Sequence, residues 1–378
     1  MNIKKSISSL AVALAVTAIT ASTGCSEWTQ PEPENHDRFG NTETSFSADY
    51  YKALREYKKS DHEISFGWFS GWGEPSVLTA SMLAGLPDSM DMISLWDSAG
   101  NLSAGKQADL KEVQQKKGTK VLMCTFMTDI GNGFTPAEHN GSESARKEFW
   151  GWKDGDETAI KASMDRYAKA ICDTINKYGY DGIDFDIEPD YGYSGHLVRN
   201  TTYVGWLLES VGKYLGPQSG SGKLLVIDGE IWYIPAYSGI YIDYFIAQAY
   251  SVSGGTPSPT AGVSASNMET RLSQIVNHYR GFLSEEEVTN KFIVTENMES
   301  AIDALNGGYY WIDARGIQQD KKECPSLVGM ASWKPRNGYR KGGFGGYKFN
   351  NEAVNNPSYK WMRTAIQTAN PANTGSEE

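Results

Sequence analysis

The sequence predicts a (β/α)8 barrel that forms a single domain, and three observations lead to this prediction. Eight segments have the length and the residue pattern of strands. Most of them are separated by segments with helical periodicity, which calls for a parallel sheet, and eight such units close a barrel. The chain has 378 residues, enough for a barrel of about 250 residues with insertions.

The predicted strands follow one another along the whole domain. The third strand, Lys120–Met127 (KVLMCTFM), is largely apolar, as expected of a strand buried on both faces. The fourth lies within Tyr178–Tyr191, a segment rich in acids. The other six predicted strands are Glu63–Ser70, Met90–Trp96, Leu224–Asp228, Tyr244–Tyr250, Phe292–Thr295 and Leu327–Trp333.

Helices are predicted between these strands. The clearest pattern spans Thr158–Lys177, where Ile160, Met164, Ile171 and Ile175 recur at helical spacing. The other predicted helices are Ala48–Lys59, Ala108–Gln115, Thr202–Leu215, Asn267–Tyr279 and Ser358–Thr368.

The fourth strand contains DGIDFDIE, a run with four acids in eight residues: Asp181, Asp184, Asp186 and Glu188. Apolar residues alternate with the last three acids, so on a strand these three share one face. Burying neighbouring carboxylates is costly, and they raise one another's pKa. This cost indicates chemistry, with one carboxyl protonated as an acid and its neighbours ionised or sharing a proton. A divalent-cation site and a solvated surface are the alternatives.

Other strand ends bring further candidate residues to the same rim, because chemistry in such barrels lies at the carboxyl ends of strands. Gln248 and Tyr250 are two apart on the sixth strand and therefore share a face. Trp68, Trp96 and Trp333 lie on or at the end of the first, second and eighth strands. Each of these residues taken singly is more typical of a structural position. Their convergence beside the acidic strand favours a site.

DGIDFDIE resembles the DGxDxDxE signature of glycoside hydrolase family 18, which includes chitinases and endo-β-N-acetylglucosaminidases. All five fixed positions of the signature match. The resemblance implies retaining hydrolysis in which the substrate's own 2-acetamido group attacks the anomeric carbon. It implies that Glu188 is the general acid and base and that Asp186 orients and stabilises the acetamide. Asp184 would share a proton with Asp186.

The resemblance also implies roles for other rim residues. Gln248 and Tyr250 match the Gln-x-Tyr of endo-β-N-acetylglucosaminidases, in which the Tyr hydroxyl bonds the acetamide carbonyl. Trp333 matches an eighth-strand tryptophan that floors a sugar subsite, and Asp181 is expected to brace the start of the strand. Many chitinases have Met-x-Tyr-Asp here, whereas Ser251 replaces that Asp in this chain. This difference favours cleavage of the chitobiose core of N-linked glycans; a chitinase and a non-catalytic glycan-binding protein are the alternatives.

Composition and charge limit the partners. The net charge is −11 with a pI near 5.1, and no basic cluster is present, which argues against nucleic acid. The 11 Trp and 21 Tyr residues suit stacking on the apolar faces of sugars. The cysteines after Cys25 have no metal-like spacing, and Cys124 and Cys172 are expected to be core residues. We expect a monomer without metal or cofactor.

The first 24 residues are typical of an export signal. Two lysines precede the apolar run Leu10–Ile19, which is too short to span a bilayer. Small residues then lead to Cys25, and this order resembles a bacterial lipoprotein signal in which that cysteine is lipidated. The polar residues 25–46 would be a tether before a domain over residues 47–378, held at the outer membrane or cell surface. Ordinary secretion is the alternative, because Ser22 stands where a leucine is usual.

Overall fold

The structure, a computed structural model, describes residues 46–75, 79–96, 100–191, 193–251 and 263–371. The predicted export signal, Cys25 and the tether as far as residue 45 lie outside these residues. Within the described ranges, no helix combines the length and the apolar character needed to cross a membrane.

Eight parallel strands close into a barrel, which confirms the predicted fold. Each strand pairs with its neighbours in chain order, and the last strand pairs with the first. The strands are β1 (Ile64–Ser70), β2 (Met92–Trp96), β3 (Lys120–Phe126), β4 (Gly182–Ile187), β5 (Leu224–Gly229), β6 (Tyr244–Gln248), β7 (Phe292–Asn297) and β8 (Gly343–Tyr347).

Helices occupy the connections between the strands. Val263–Ser264 and Trp311–Ile312 form a separate two-stranded parallel sheet. The helices are α1 (Ala48–Tyr57), α2 (Ala104–Glu112), α3 (Glu143–Trp150), α4 (Glu157–Tyr178), α5 (Thr201–Gly212), α6 (Ala265–Tyr279), α7 (Glu285–Lys291), α8 (Ala301–Asn306), α9 (Ser326–Ser332) and α10 (Lys360–Ala369).

Two apolar cores lie on the two faces of the barrel wall. The smaller one fills the barrel interior and contains Phe66, Trp68, Met92, Leu122, Val226, Ile246 and Ile293. The larger one lies between the strands and the helices, and it includes the three apolar residues of the acidic strand, Ile183, Phe185 and Ile187. The alternation in β4 therefore sends its apolar residues outwards and its acids into the barrel, as predicted.

The eighth strand is not the predicted one. The segment predicted as Leu327–Trp333 is helix α9, whose residues 326–331 are all buried. A short apolar run buried on every side has no period that separates strand from helix. The true strand, GFGGY, has three glycines among its five residues and no β-branched residue, so its sequence is a weak signal for a strand. The glycine is needed, because a Cβ at Gly345 would lie 2.3 Å from the Phe66 carbonyl oxygen on β1.

Glu352 gives a pH-dependent contribution to stability that is separate from the acids of β4. It is fully buried, and it accepts the backbone N–H of Trp361 at 2.9 Å in the first turn of α10. Burial raises the pKa of Glu352 from 4.5 to about 8. Between pH 4.5 and about 8, the folded state therefore keeps the Glu352 proton, whereas the unfolded state has lost it. The stabilisation is complete below pH 4.5 and is lost as the pH rises towards 8.

We therefore expect Glu352→Gln to flatten the pH dependence of unfolding between pH 5 and 8. The difference in slope would approach about 1.4 kcal/mol per pH unit, because glutamine keeps the acceptor oxygen but has no proton to lose. Denaturant unfolding at several pH values measures it. Glu209→Gln, on the exposed face of α5, is the matched control. Equal slopes for the wild-type protein and the Glu352→Gln variant would contradict the prediction.

Candidate active site

Strand β4 carries three acids towards the carboxyl end of the barrel, where the active sites of such barrels lie. Asp184 and Asp186 are buried inside the barrel, with exposed fractions of 0% and 2%. Glu188 follows the last residue of the strand and is half-buried. The acids thus run from a dry, deep position to an open one at the rim.

Asp184 is the deepest acid and is held by an indole. Trp68 Nε1 on β1 donates to Asp184 Oδ2 at 2.9 Å. Burial raises the pKa of Asp184 to about 6, although the donors around it oppose the change. The Trp68 side chain is itself only 1% exposed. Trp68 was expected at the rim of the site as a substrate-binding tryptophan. The structure instead buries its indole against Asp184.

Asp228 is a third buried acid that the sequence analysis did not select. It lies on β5 in register with Asp186 and is 0% exposed. Burial raises the pKa of Asp228 well above its ordinary value, and the charges of Asp186 and Asp184 add to the effect. The residue could have been found, because Leu224, Val226 and Asp228 alternate on a strand predicted to lie beside the acidic one.

The three buried acids are placed so that they can share protons. Asp184 Oδ1, Asp186 Oδ1 and Asp228 Oδ2 are each buried without a hydrogen-bond donor. Buried oxygens of this kind are satisfied when neighbouring carboxyl groups hold a proton between them. Asp228 interacts with both Asp184 and Asp186. This arrangement places Asp228 beside the two acids, Asp184 and Asp186, for which proton sharing was expected.

Gln248, the last residue of β6, links the rim acid to the buried group. Its Nε2 donates to Asp228 Oδ1 at 2.9 Å. Burial raises the pKa of Glu188, and hydrogen bonding from Gln248 opposes the rise. Burial, Glu188 and then Asp184 raise the pKa of Asp186 well above its ordinary range. A carboxyl group with a raised pKa keeps its proton to a higher pH, as a general acid must.

Tyr250 lies just beyond the end of β6 and faces the same acids. Burial raises the pKa of its phenol, and the charges of Asp228, Asp186 and Glu188 raise it further. The hydroxyl therefore stays protonated and is available as a donor. The Tyr250 ring stacks on Tyr347, with 6.1 Å between centroids and 27° between planes.

Tyr347 ends the true eighth strand and forms the centre of an aromatic wall. Besides Tyr250, its ring contacts Trp96 at 5.5 Å and Trp68 at 6.1 Å. Trp96 is partly exposed at the end of β2, so its predicted position at the rim agrees with the structure. The sequence analysis missed Tyr347, because the glycines before it concealed the strand.

Trp333 lies at the opposite end of the barrel from Glu188. It follows helix α9, and its Nε1 donates to Glu269 Oε1 at 3.0 Å. Its carbonyl oxygen accepts from Lys341 Nζ at 2.8 Å, and this ammonium also binds Glu63, the residue before β1. The expectation that Trp333 floors a sugar subsite is contradicted, because the segment that carries it is a helix at the amino ends of the strands.

The amino end of the barrel holds structural contacts. Asp181 Oδ2 accepts from the backbone N–H of Val121 at 2.9 Å and from Gln114 Nε2 at 2.7 Å, so it braces β4 as expected. A cavity of about 980 Å³ also lies at this end, beside Glu63 and Lys334. These two residues form an ion pair of 2.6 Å. The volume of a cavity therefore does not mark the chemistry in this molecule.

These features agree with one protein family. The family model described as "Glycoside hydrolase family 18, BT1044-like" matches residues 29–368. The chain belongs to glycoside hydrolase family 18. This confirms the family expected from DGIDFDIE.

This family 18 hydrolase is similar to a characterised enzyme in sequence and to solved structures in fold. The endo-β-N-acetylglucosaminidase F2 of Elizabethkingia meningoseptica is 26% identical over 343 residues, covering 84% of this chain and 85% of that protein. The solved structure of BT1044, in a glutamate-to-glutamine variant, has a TM-score of 0.71 at 29% identity and covers 86% and 93% of the two chains. The endo-β-N-acetylglucosaminidase of Cordyceps militaris shares the fold, with a TM-score of 0.54 at 20% identity over 86% and 97%.

Among the residues that the structure describes, two groups of side chains approach the spacing of metal ligands. One contains Cys124 beside Asp184 and Asp228. Burial, followed by the nearby aspartates, raises the pKa of the Cys124 thiol well above its ordinary value. A thiol must lose its proton to bind a metal. The chemistry of this group therefore fits proton sharing better than cation binding.

The other group braces two loops at the carboxyl rim. His196 Nε2 accepts the backbone N–H of Ile130 at 3.1 Å, and its Nδ1 lies 2.9 Å from Asp129 Oδ1. Arg146 donates to Asp129 Oδ2 at 2.7 Å, and Glu143 lies nearby. The His196 backbone N–H also donates to Asp129 Oδ1 at 3.0 Å, so the group ties the loop after β3 to the loop after β4.

Asp228 offers a test of proton sharing in the buried group. We expect Asp228→Asn to lower kcat less than Asp228→Ala, because the amide can still accept from Gln248 and donate to a neighbouring acid. Truncation to alanine leaves buried polar groups unpaired, at a cost of about 1–3 kcal/mol. Melting curves and kcat for both variants measure the difference. Equal losses of kcat in folded variants would contradict the shared-proton arrangement.

Proposed function

We propose that this chain is an endo-acting retaining glycosidase that cleaves the β-1,4 bond in the N,N'-diacetylchitobiose core of N-linked glycans. The observation that carries the proposal is the half-buried Glu188 at the rim beside the buried Asp186. Gln248 and Tyr250 converge on the same acids. The names of the relatives from Elizabethkingia and Cordyceps support this substrate class.

Glu188 would act first as the general acid. Its raised pKa keeps a proton available for the glycosidic oxygen of the leaving sugar. The bond between the anomeric carbon and this oxygen then breaks as the proton is transferred. Gln248 would hold the carboxyl group in place through its side-chain amide.

The nucleophile would belong to the substrate. The carbonyl oxygen of the 2-acetamido group attacks the anomeric carbon and forms an oxazolinium-type intermediate. With the shared proton held by Asp184 or Asp228, Asp186 would accept a hydrogen bond from the acetamide N–H and stabilise the positive charge that develops there. Tyr250 would donate its hydroxyl to the acetamide carbonyl and orient it. Glu188 then takes a proton from water as the water oxygen bonds to the anomeric carbon. The bond from this carbon to the acetamide oxygen breaks, which opens the oxazolinium ring and leaves the configuration retained.

Mass spectrometry of a glycoprotein with one high-mannose N-glycan tests this function. We expect the protein product to keep a single N-acetylglucosamine on its asparagine and the rest of the glycan to be released. Parallel digestion of hybrid and complex glycans would identify the preferred class. Turnover of chitin oligomers with an unchanged glycoprotein would indicate a chitinase instead. Glycan binding without any cleavage would indicate a non-catalytic protein.

We also propose that the protein is exported and anchored by a lipid on Cys25. The support is the order of the first 25 residues: a positive start, a short apolar run and small residues before the cysteine. Labelling of cells with a fatty-acid analogue tests this proposal. We expect label on the wild-type chain and none on the Cys25→Ser variant. Release of unlabelled wild-type protein into the medium would favour ordinary secretion.

A further inference from the structure

Glu296 is a buried carboxyl group outside the acids of β4 and β5. It lies on β7 and is 0% exposed, and no lysine or arginine in the described ranges forms an ion pair with it. Burial raises the pKa of Glu296, and donors from Ser326, Ser251 and Asn297 oppose the rise. A buried carboxyl group without a cation is costly unless donors satisfy it. The donors to Glu296 therefore identify the part of the chain that this residue positions.

Two of these hydrogen bonds come from a single residue. Ser251 donates its backbone N–H to Glu296 Oε1 at 2.9 Å and its hydroxyl to Glu296 Oε2 at 2.8 Å. The backbone N–H of Asn297 also donates to Oε1 at 2.7 Å. Both carboxyl oxygens thus bind Ser251, which fixes its orientation as well as its position.

Ser251 directly follows Tyr250, at a point where the sheet no longer positions the chain. The pairing of β6 with β7 ends at Gln248 and Thr295, and the next backbone bond runs from Ala249 N–H to the Thr295 carbonyl at 3.1 Å. Beyond it, the two bonds from Ser251 to Glu296 hold the backbone that carries Tyr250. The direction of the Tyr250 ring towards Asp186 and Glu188 depends on this attachment.

We propose that Glu296 is a positioning residue that fixes the Tyr250 hydroxyl against the acetamide carbonyl of the substrate. The proposal rests on the proposed function for the role of Tyr250. It also explains why serine at position 251 suits this chain. An aspartate there, as in the Met-x-Tyr-Asp pattern, would place a second carboxylate against the buried Glu296, and two such groups repel each other.

A double-mutant cycle tests whether Glu296 acts through Tyr250. We expect Glu296→Ala to lower kcat by roughly tenfold to a hundredfold, in line with coupled neighbours. In a Tyr250→Phe background, the same change should lower kcat by less than about threefold, because the hydroxyl that Glu296 positions is gone. Equal effects in the two backgrounds would show that Glu296 only stabilises the fold. Melting curves identify any variant that does not fold, and Glu296→Gln, which keeps an acceptor for Ser251, should retain most activity.

A second pair of variants tests the match between positions 251 and 296. Ser251→Asp should lower kcat strongly, and adding Glu296→Gln should recover most of the loss, because the amide can donate to the new carboxylate. No recovery in a folded double variant would overturn the proposal. The same two sets of variants can also be compared by their affinity for N,N'-diacetylchitobiose, measured by titrating this ligand into each protein. A chain that binds this ligand but cleaves no glycoprotein would contradict the proposed function, and the positioning role would then be judged from affinity.

Discussion

Glu188→Gln is expected to lower kcat on a glycoprotein by roughly 10²–10⁴-fold, the range of general acid–base catalysis. Glutamine has nearly the same shape, but it cannot protonate the leaving oxygen or take a proton from water. Burial raises the pKa of Glu188, so the wild-type rate should fall as the pH rises through that pKa. Initial rates across a pH series measure both effects. The fall in rate at alkaline pH should be absent from any residual activity of the variant.

Binding separates the loss of chemistry from a loss of folding. Glu188→Gln should still bind the glycan, because the aromatic wall around Tyr347 and the buried acids are unchanged. Glu209→Gln, an exposed residue on α5, makes the same chemical change away from the site and should leave kcat within about twofold, as expected of surface substitutions. If the Glu188→Gln variant turned over at a rate close to that of wild type, another group would have to be the acid.

Asp186→Asn is expected to lower kcat on intact glycan on the order of 10²–10³-fold, the cost of removing one preorganised electrostatic contact. The amide cannot supply the negative charge that stabilises the oxazolinium-type intermediate. In the wild type, Asp186 is 2% exposed beside Glu188 and Asp228, and such a dry position strengthens the interaction. Asp165→Asn, on the exposed face of α4, is the matched control.

A preformed oxazoline distinguishes the role of Asp186 from that of Glu188. The closed ring bypasses the step that Asp186 assists, so Asp186→Asn should still consume an oxazoline-activated glycan. Glu188→Gln should not, because water or another acceptor still needs a base. Chromatography of the oxazoline against time measures both rates. If both variants lost oxazoline turnover to the same extent, the assigned division of labour would be incorrect.

The parts of the site that were found from sequence are those with a strong local pattern. From Asp184 to Glu188 every second residue is an acid, and alternation alone assigns the two faces of a strand. Gln248 and Tyr250 were found from their spacing. Asp228 and Tyr347 have no such local pattern, because Asp228 lies near the end of an otherwise apolar strand and Tyr347 follows two glycines. Their importance arises from neighbours that are distant in the chain.

The positions of Trp333 and Trp68 in the sequence did not predict their surroundings in the structure. The run that ends at Trp333 is mostly apolar, and the structure buries nearly all of it. Such a run shows neither the 3.6-residue period of a half-exposed helix nor the two-residue period of a half-exposed strand. Trp68 was assigned to the correct strand. Whether its indole contacts solvent or a buried acid depends on how far inside the barrel the side chain lies. The local sequence pattern does not contain that information.

The sequence by itself determined the barrel, the protein family and the order of the acids along β4, because short-range alternation and a fixed motif encode them. The tertiary structure decided which acids are buried together, which strand closes the barrel and how Glu296 holds the residue after Tyr250. These arrangements depend on side chains from different strands that meet only when the barrel closes. Such contacts are set by strand register and packing between distant segments, and the spacing of residues in one segment does not contain that information.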